Sequence, residues 1–346
     1  MSVSSANAIS DRQRRILRHV VEEYVATGEP VGSKTLVERS ELGVSSSTVR
    51  SELAALEAHG LLMHPHTSAG RVPTERGYRL YADGLLERLE LRPRAFPLDL
   101  STVRSEIEGA LQSTTEMLAQ LTRLLALVSA PPLETTTVRH VEVIVLQPRV
   151  VMAVVITSTG GVTKRLVSFQ EPVDPGLAQW AREYLNERVA GLTLGSNLLR
   201  QRLAEPELSD GERAFLAAFR PAFTEAQADE RRLYVGGTAV LLEEVRAEEL
   251  ESYQHLLEVL EKRAALLELL HGSLDARRPF VRVGMELEHP YLANVALVGA
   301  AYGLATRTLG TVSLLGPVRM DYDKAIRSVQ SAAAALSRFV EDVYEE

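Results

Sequence analysis

The feature that most constrains this chain is a change of hydrophobic period. Apolar residues recur at three- and four-residue spacing through residues 11–89 and again from Ser101 to about Val128; from Val138 they alternate or form short runs. The first pattern builds helices with one buried face, and the second builds strands. The chain therefore has to join a helical head to a body that contains sheet. At roughly 100–200 residues per domain, 346 residues accommodate two or three domains.

The head divides at its glycines. Ser10 and Gln13 form a capping box before a helix over Asp11–Thr27, whose inner face is Ile16, Leu17, Val20, Val21, Tyr24 and Val25; Gly28 closes it. Ser33 opens a short second helix. Ser45 or Ser46 caps a third that runs to His59 with Val49, Leu53 and Leu56 buried, and Gly60 ends it. Leu61–Met63 and Arg71–Pro73 then read as the arms of a hairpin around the loop Thr67–Gly70. A fourth helix from Thr74 turns Tyr78, Tyr81, Leu85 and Leu89 inward. Three helices followed by a hairpin is the order of a winged helix-turn-helix, expected over residues 1–90.

The polar residues left outside this framework suit a groove reader. Ser46, Ser47, Thr48, Arg50 and Ser51 lie off the buried stripe of the third helix, at its N-terminal end. Short hydroxyl side chains can bond phosphate or base edges at close approach. Arg50 is the one long donor there, able to bond guanine O6 and N7 with both arms. Ser33 and Lys34 begin the second helix as phosphate clamps. His66, Thr67, Ser68, Gly70 and Arg71 form a wing tip of small residues around one arginine, fit for a minor groove. Each signal has an ordinary alternative, since serines cap helices and arginines are solvated. His59, His64 and His66 could together hold zinc, but phosphate contact or plain exposure is the favoured reading, and no metal or cofactor is expected.

Charge limits how such a head could bind. The chain carries a net −8, yet residues 1–82 hold 10 Lys and Arg against 9 Asp and Glu. A neutral head has no broad positive field, so affinity must come from a few placed cations and from doubling in a dimer. Cysteine is absent, which excludes disulfides, thiolate metal sites and cysteine nucleophiles. Met1–Asn7 is small and polar, and no apolar run approaches a membrane span, so a cytoplasmic location without membrane attachment is expected.

Beyond the head, residues 91–132 read as a Pro-containing linker and the long helix. Strands follow at Val138–Leu146, Val150–Thr157 and Val162–Phe169, with a helix over Pro175–Val189. Residues 195–275 are acidic and helical, with one strand-like interruption at Leu233–Thr238. Strands resume at Phe280–Glu286, Tyr291–Tyr302 and Arg307–Leu315 before a last helix from Asp321 to Val343. The expectation is an α+β multidomain chain in which one α/β domain, 133–194 and 276–346, is interrupted by 195–275.

Several strings are specific. Val44-Ser-Ser-Ser-Thr-Val-Arg-Ser-Glu-Leu53, His66-Thr-Ser-Ala-Gly-Arg-Val-Pro-Thr74, Gly77-Tyr-Arg79, Tyr234-Val-Gly-Gly-Thr238 and Leu315-Gly-Pro-Val-Arg-Met-Asp-Tyr322 resemble the HrcA-type heat-inducible transcription repressors. Val318 departs from the threonine common there. The resemblance implies a winged helix, a GAF-like domain interrupted by an inserted dimerising domain, and repression of chaperone operons through an inverted-repeat operator. It also implies a homodimer and the chaperonin GroEL as partner. A rival is a ligand-sensing regulator whose GAF-like domain binds a small effector near Arg319, with a structural turn capped by Asp321 as the plainer reading of that junction. Gly191–Ser196 resembles a phosphate loop but lacks the Lys-Ser/Thr ending, and no catalytic triad or carboxylate pair is suggested, so no enzyme activity is expected.

Overall fold

A computed structural model of the chain describes residues 9–39, 43–65, 70–89, 93–98, 100, 107–131, 136–158, 161–205, 207–224, 233–238, 278–288 and 292–345. In the head, α1 spans Asp11–Thr27, α2 Ser33–Arg39 and α3 Ser46–Ala58; β1 (Leu62–Met63) and β2 (Val72–Pro73) pair antiparallel before α4 (Glu75–Glu87). The Ser10 hydroxyl accepts from the Gln13 amide at 3.2 Å while the Gln13 side chain accepts from the Ser10 amide at 2.8 Å, completing the expected box. Gly28 takes a left-handed φ of 71°, and its amide returns to the Tyr24 carbonyl. Ile16, Leu17, Val20, Val49 and Leu56 are buried together.

Close packing fixes the hairpin and α4. The Thr74 hydroxyl caps α4 through the Gly77 amide and donates to the Gly60 carbonyl at 2.7 Å, so one side chain ties the fourth helix to the end of the third. A Cβ at Gly77 would sit 2.1 Å from the Leu61 carbonyl oxygen, and one at Gly70 would sit 2.5 Å from the Pro30 backbone. Both glycines are required by close backbone approach.

The body departs from the expected division. Within the described residues the helix α5 covers Ile107–Thr122 and stops short of the expected Val128, because Leu125–Ser129 is a strand, β3; residues 101–106, where the helix was expected to begin, lie outside the described residues. The turn between them holds Arg123 at φ 57°. β3 is buried along its whole length, so its apolar run has no polar alternation to distinguish it from the helix before it. It lies inside a five-stranded antiparallel sheet with β7 (Leu233–Gly236) on one side and β10 (Arg307–Pro317) on the other, followed by β9 (Val295–Leu304) and β8 (Phe280–Val283). A 3-10 turn, Gly284–Leu287, follows β8. α5 and the final helix α9 (Tyr322–Glu345) both pack on this sheet. Asp321 caps α9 by accepting from the Lys324 amide at 3.0 Å.

The other strands form a separate sheet. β4 (Val138–Gln147), β5 (Val150–Thr157) and β6 (Val162–Ser168) make an antiparallel meander, packed with α6 (Pro175–Arg188), α7 (Asn197–Arg202) and α8 (Asp210–Thr224). Val141, Val151, Val155, Leu185, Leu216 and Phe219 form its own core. Phe169 stacks on Phe215 at 5.2 Å, and Phe215 meets Phe219 edge-on at 5.1 Å. Strands 138–168 and 280–317, expected in one domain, are thus in two sheets. The interruption of the larger sheet begins after β3, near residue 130, rather than at 195. Helices α7 and α8, expected in a separate insertion, share the core of the smaller sheet. Most of 225–277 lies outside the described residues.

Head and body share one continuous core across α4. Tyr78 and Tyr81 meet Tyr322 of α9 at centroid distances of 5.9 and 6.3 Å. Arg79 donates to the Val281 carbonyl at 2.9 Å and pairs with Glu286 and Asp83, each at 3.1 Å. Burial here disfavours charge: it pushes the hydroxyls of Tyr81 and Tyr322 well above the ordinary tyrosine range and raises the Asp83 carboxyl despite Arg79.

Candidate nucleic-acid interface

Helix α3 is held from one side only. Its stripe of Val49, Leu53 and Leu56 packs on α1, α2 and β1, and among the described residues no other element packs substantially on its opposite face. That face carries Ser47, Arg50 and Ser51, all exposed. At its start the hydroxyls form a local network. The Ser45 hydroxyl lies 2.8 Å from that of Ser47 and 2.9 Å from that of Thr48, and caps the helix by accepting from the Thr48 amide at 3.3 Å. Ser46 meets Ser33 at 3.1 Å, which joins the starts of α3 and α2. A hydroxyl has one proton and two lone pairs, so Ser45 is fully engaged by its three bonds, while Ser46, Ser47 and Thr48, each with one bond in this network, keep bonding capacity beyond it. Lys34 is exposed beside Ser33.

The charges of the head are unevenly committed. Arg12 pairs with Glu52 at 3.6 Å, Arg18 with Glu22 at 2.7 Å, and Arg39 with Glu23. The bond to Glu22 raises the Arg18 guanidinium above its ordinary range. Lys34 and Arg50 form no ion pair among the described residues, which leaves the two cations nearest the start of α3 available to an external anion.

The hairpin places its arginine differently from the expected wing tip. The Arg71 guanidinium is only 19% exposed and bonds Glu57 on α3 at 2.8 Å. Its backbone pairs in both directions with Val31 at 2.9 Å. Arg71 thus fastens the hairpin to α3 and to the turn before α2, and Gly70 packs on Pro30. Sequence reasoning missed Glu57 as its partner, although Glu57 stands on the buried edge of the third helix. His66, Thr67 and Ser68 lie outside the described residues. His59 ends α3 as its C-cap and His64 is exposed; among the described residues no three acidic or imidazole groups are grouped to hold a metal. Gly191–Ser196 is a turn, with Ser196 capping α7.

Comparison with known proteins gives this surface a family. The model of the HrcA protein C-terminal domain matches residues 108–326. A protein of Mycolicibacterium smegmatis named heat-inducible transcription repressor HrcA is 38% identical over 329 residues, covering 93% of this chain and 96% of its own. The chain belongs to the HrcA family of heat-inducible transcription repressors. The same name attaches to a protein of Mycobacterium sp. strain KMS, 38% identical over 335 residues and covering the same shares of both chains. A crystal structure described as a hypothetical protein matches 98% of this chain and all of its own, at a TM-score of 0.65 and 25% identity. The repressor thus shares its fold across nearly its full length with a solved protein. Its family is one of negative regulators of heat-induced transcription, not of enzymes. Among the described residues no helix is long and apolar enough to cross a membrane.

Proposed function

We propose that the repressor binds a double-stranded, inverted-repeat operator of chaperone genes in the cytoplasm, with α3 in the major groove of each half-site. The observation that carries this reading is the exposed face of α3, with Arg50 and Lys34 in no ion pair among the described residues and a row of hydroxyls at its start. Arg50 reads a base edge, Ser47, Thr48 and Ser51 approach the bases or the backbone, and Ser33, Lys34 and Ser46 hold phosphate. His66, Thr67, Ser68 and Gly70 form the wing, and Arg71 sets its angle through Glu57.

A head with so few free cations needs two half-sites engaged at once, which makes a homodimer part of the mechanism. The outer face of the smaller sheet supports one. Ile144, Leu146, Val162 and Leu166 are exposed there, at 39, 50, 44 and 62%. The register puts Glu142, Val154 and Lys164 in one row and Ile144, Met152 and Leu166 in the next. A twofold axis along β5 would lay β4 of one copy over β6 of the other. Glu142 would then face Lys164, and Ile144 would face Leu166, which makes the face self-complementary. In this reading the dimerising unit is the smaller sheet with its helices, the body is the GAF-like domain, and GroEL is the partner that keeps the repressor active until heat draws it away.

Gel-shift titration at two salt concentrations, with an inverted-repeat chaperone promoter and a scrambled control, tests the core of this. Binding that is lost on scrambling, and strengthened by GroEL, is the expected result. Equal weak binding to both probes, with and without GroEL, would overturn it.

A further inference from the structure

The head and body are joined at α4, but beside that joint they part. A cleft of about 1140 Å³ opens between them, above the ~300–1,000 Å³ usual for small-molecule sites. Its head wall comes from α1 and α4, with Leu80, Tyr81 and Leu85; its body wall is a floor of small side chains, Ala300 and Ala301 of β9 and Ala333 and Ser337 of α9. Ser337 already accepts from the Gly303 amide at 3.1 Å, which leaves its own proton to give.

Charge is what sets this cleft apart in an acidic chain. Arg14, Arg15, Arg18, Arg88 and Arg278 all line it. Arg18 is answered by Glu22, and the lining carboxylate Asp83 is answered by Arg79. Arg15, Arg88 and Arg278 are exposed and form no ion pair among the described residues, with Glu87 the one other acidic group in the lining among those residues. Three such guanidiniums come from three places: α1, the end of α4, and the segment just before β8. A single carboxylate satisfies one guanidinium fork, whereas a phosphate chain offers oxygens to several. The apolar lining, leucine on the head wall and alanine on the floor, would be wasted on a bare inorganic anion.

We infer that this cleft binds a small organic polyphosphate, its phosphates held by Arg15, Arg88 and Arg278 and its apolar portion laid on the floor between α4 and α9. The site is separate from the junction at Arg319 and from the face of α3. Because one wall belongs to the head and the other to the body, an occupant favours one spacing of the two and so changes how the paired heads meet an operator. That consequence, though not the binding itself, rests on the operator reading above.

The test uses the full chain, with ATP in magnesium-free buffer as probe and calorimetry as readout. ATP should bind the wild type and bind Arg88→Ala/Arg278→Ala at least about tenfold more weakly, since each lost guanidinium removes a charge-assisted bond. Arg149→Ala, an exposed arginine of the smaller sheet, should bind like wild type. Adenosine should not compete, and inorganic pyrophosphate should compete more weakly than ATP. Absence of saturable ATP binding would overturn the inference, as would equal binding by the double variant or by pyrophosphate. The double variant without ATP should retain wild-type operator affinity; a loss there would show that these arginines hold DNA phosphates and would also overturn it. Calorimetry needs no DNA, so a wild type that binds no operator would count against the repressor mechanism and leave the ATP result standing.

Discussion

Helices α3 and α4 have equal length and lie 16 residues apart, yet the fold uses them in opposite ways. α3 buries one stripe and, among the described residues, leaves its other side exposed. α4 is engaged on several sides: Tyr78 and Ala82 in the core, Gly77 against the Leu61 carbonyl, Tyr81 on Tyr322, Arg79 on β8 and Glu286. The difference separates two tasks. A surface that reads a ligand must keep its donors unspent, whereas a joint must spend them. Substitutions on α3 should therefore change binding with little effect on stability, and those on α4 should do the reverse.

The sharpest break would come at Gly77→Ala. The added Cβ lands 2.1 Å from a carbonyl oxygen of the chain entering β1, and neither backbone can yield cheaply. A loss of about 3 kcal/mol in unfolding free energy is expected, at the upper end for overpacking, measured by chemical denaturation. A change under about 0.5 kcal/mol would mean that α4 is not clamped to the hairpin as described. Next in size is Leu166→Asp, which puts a charge in the apolar row of the smaller sheet. It should weaken the proposed dimer by roughly 2–4 kcal/mol while the monomer stays folded, read by sedimentation equilibrium. An unchanged dimer would move the twofold interface off this sheet. Arg50→Ala should cost about 1–3 kcal/mol in operator affinity and relax specificity at one base pair, with no change in denaturation midpoint. Equal loss on specific and scrambled probes would make Arg50 a phosphate contact instead.

Much of this contrast was legible in the sequence, and its limits have physical causes. The cap at Ser10, the stripe of α3 and the glycine breaks follow local rules and hold in the structure, which also settles the cap of α3, left open between Ser45 and Ser46, on Ser45. The strand β3 was not legible because a strand buried on both faces shows no alternation, and Leu124–Val128 continues the apolar phase of the helix before it. That one strand redraws the body, since it places the start of the larger sheet ahead of the smaller one. Among the site residues, exposure of Arg50 followed from its position off the stripe of α3. The capture of Arg71 by Glu57 did not, because the two meet through the hairpin fold rather than through helix spacing.

That pair gives the smallest and most informative test. Glu57→Gln keeps the shape of the partner and removes its charge, and the Arg71–Glu57 bond is partly exposed, so stability should fall by no more than about 1 kcal/mol. The effect on binding decides what Arg71 is for. If it positions the wing through Glu57, operator affinity should drop slightly and the salt dependence should stay unchanged, because no phosphate contact is gained or lost. If Arg71 instead reaches DNA when the operator is bound, freeing it from Glu57 should strengthen binding, and steepen the salt dependence by about one counterion. The first outcome keeps α3 as the surface whose donors are free and assigns the hairpin base, like α4, to holding the head in shape.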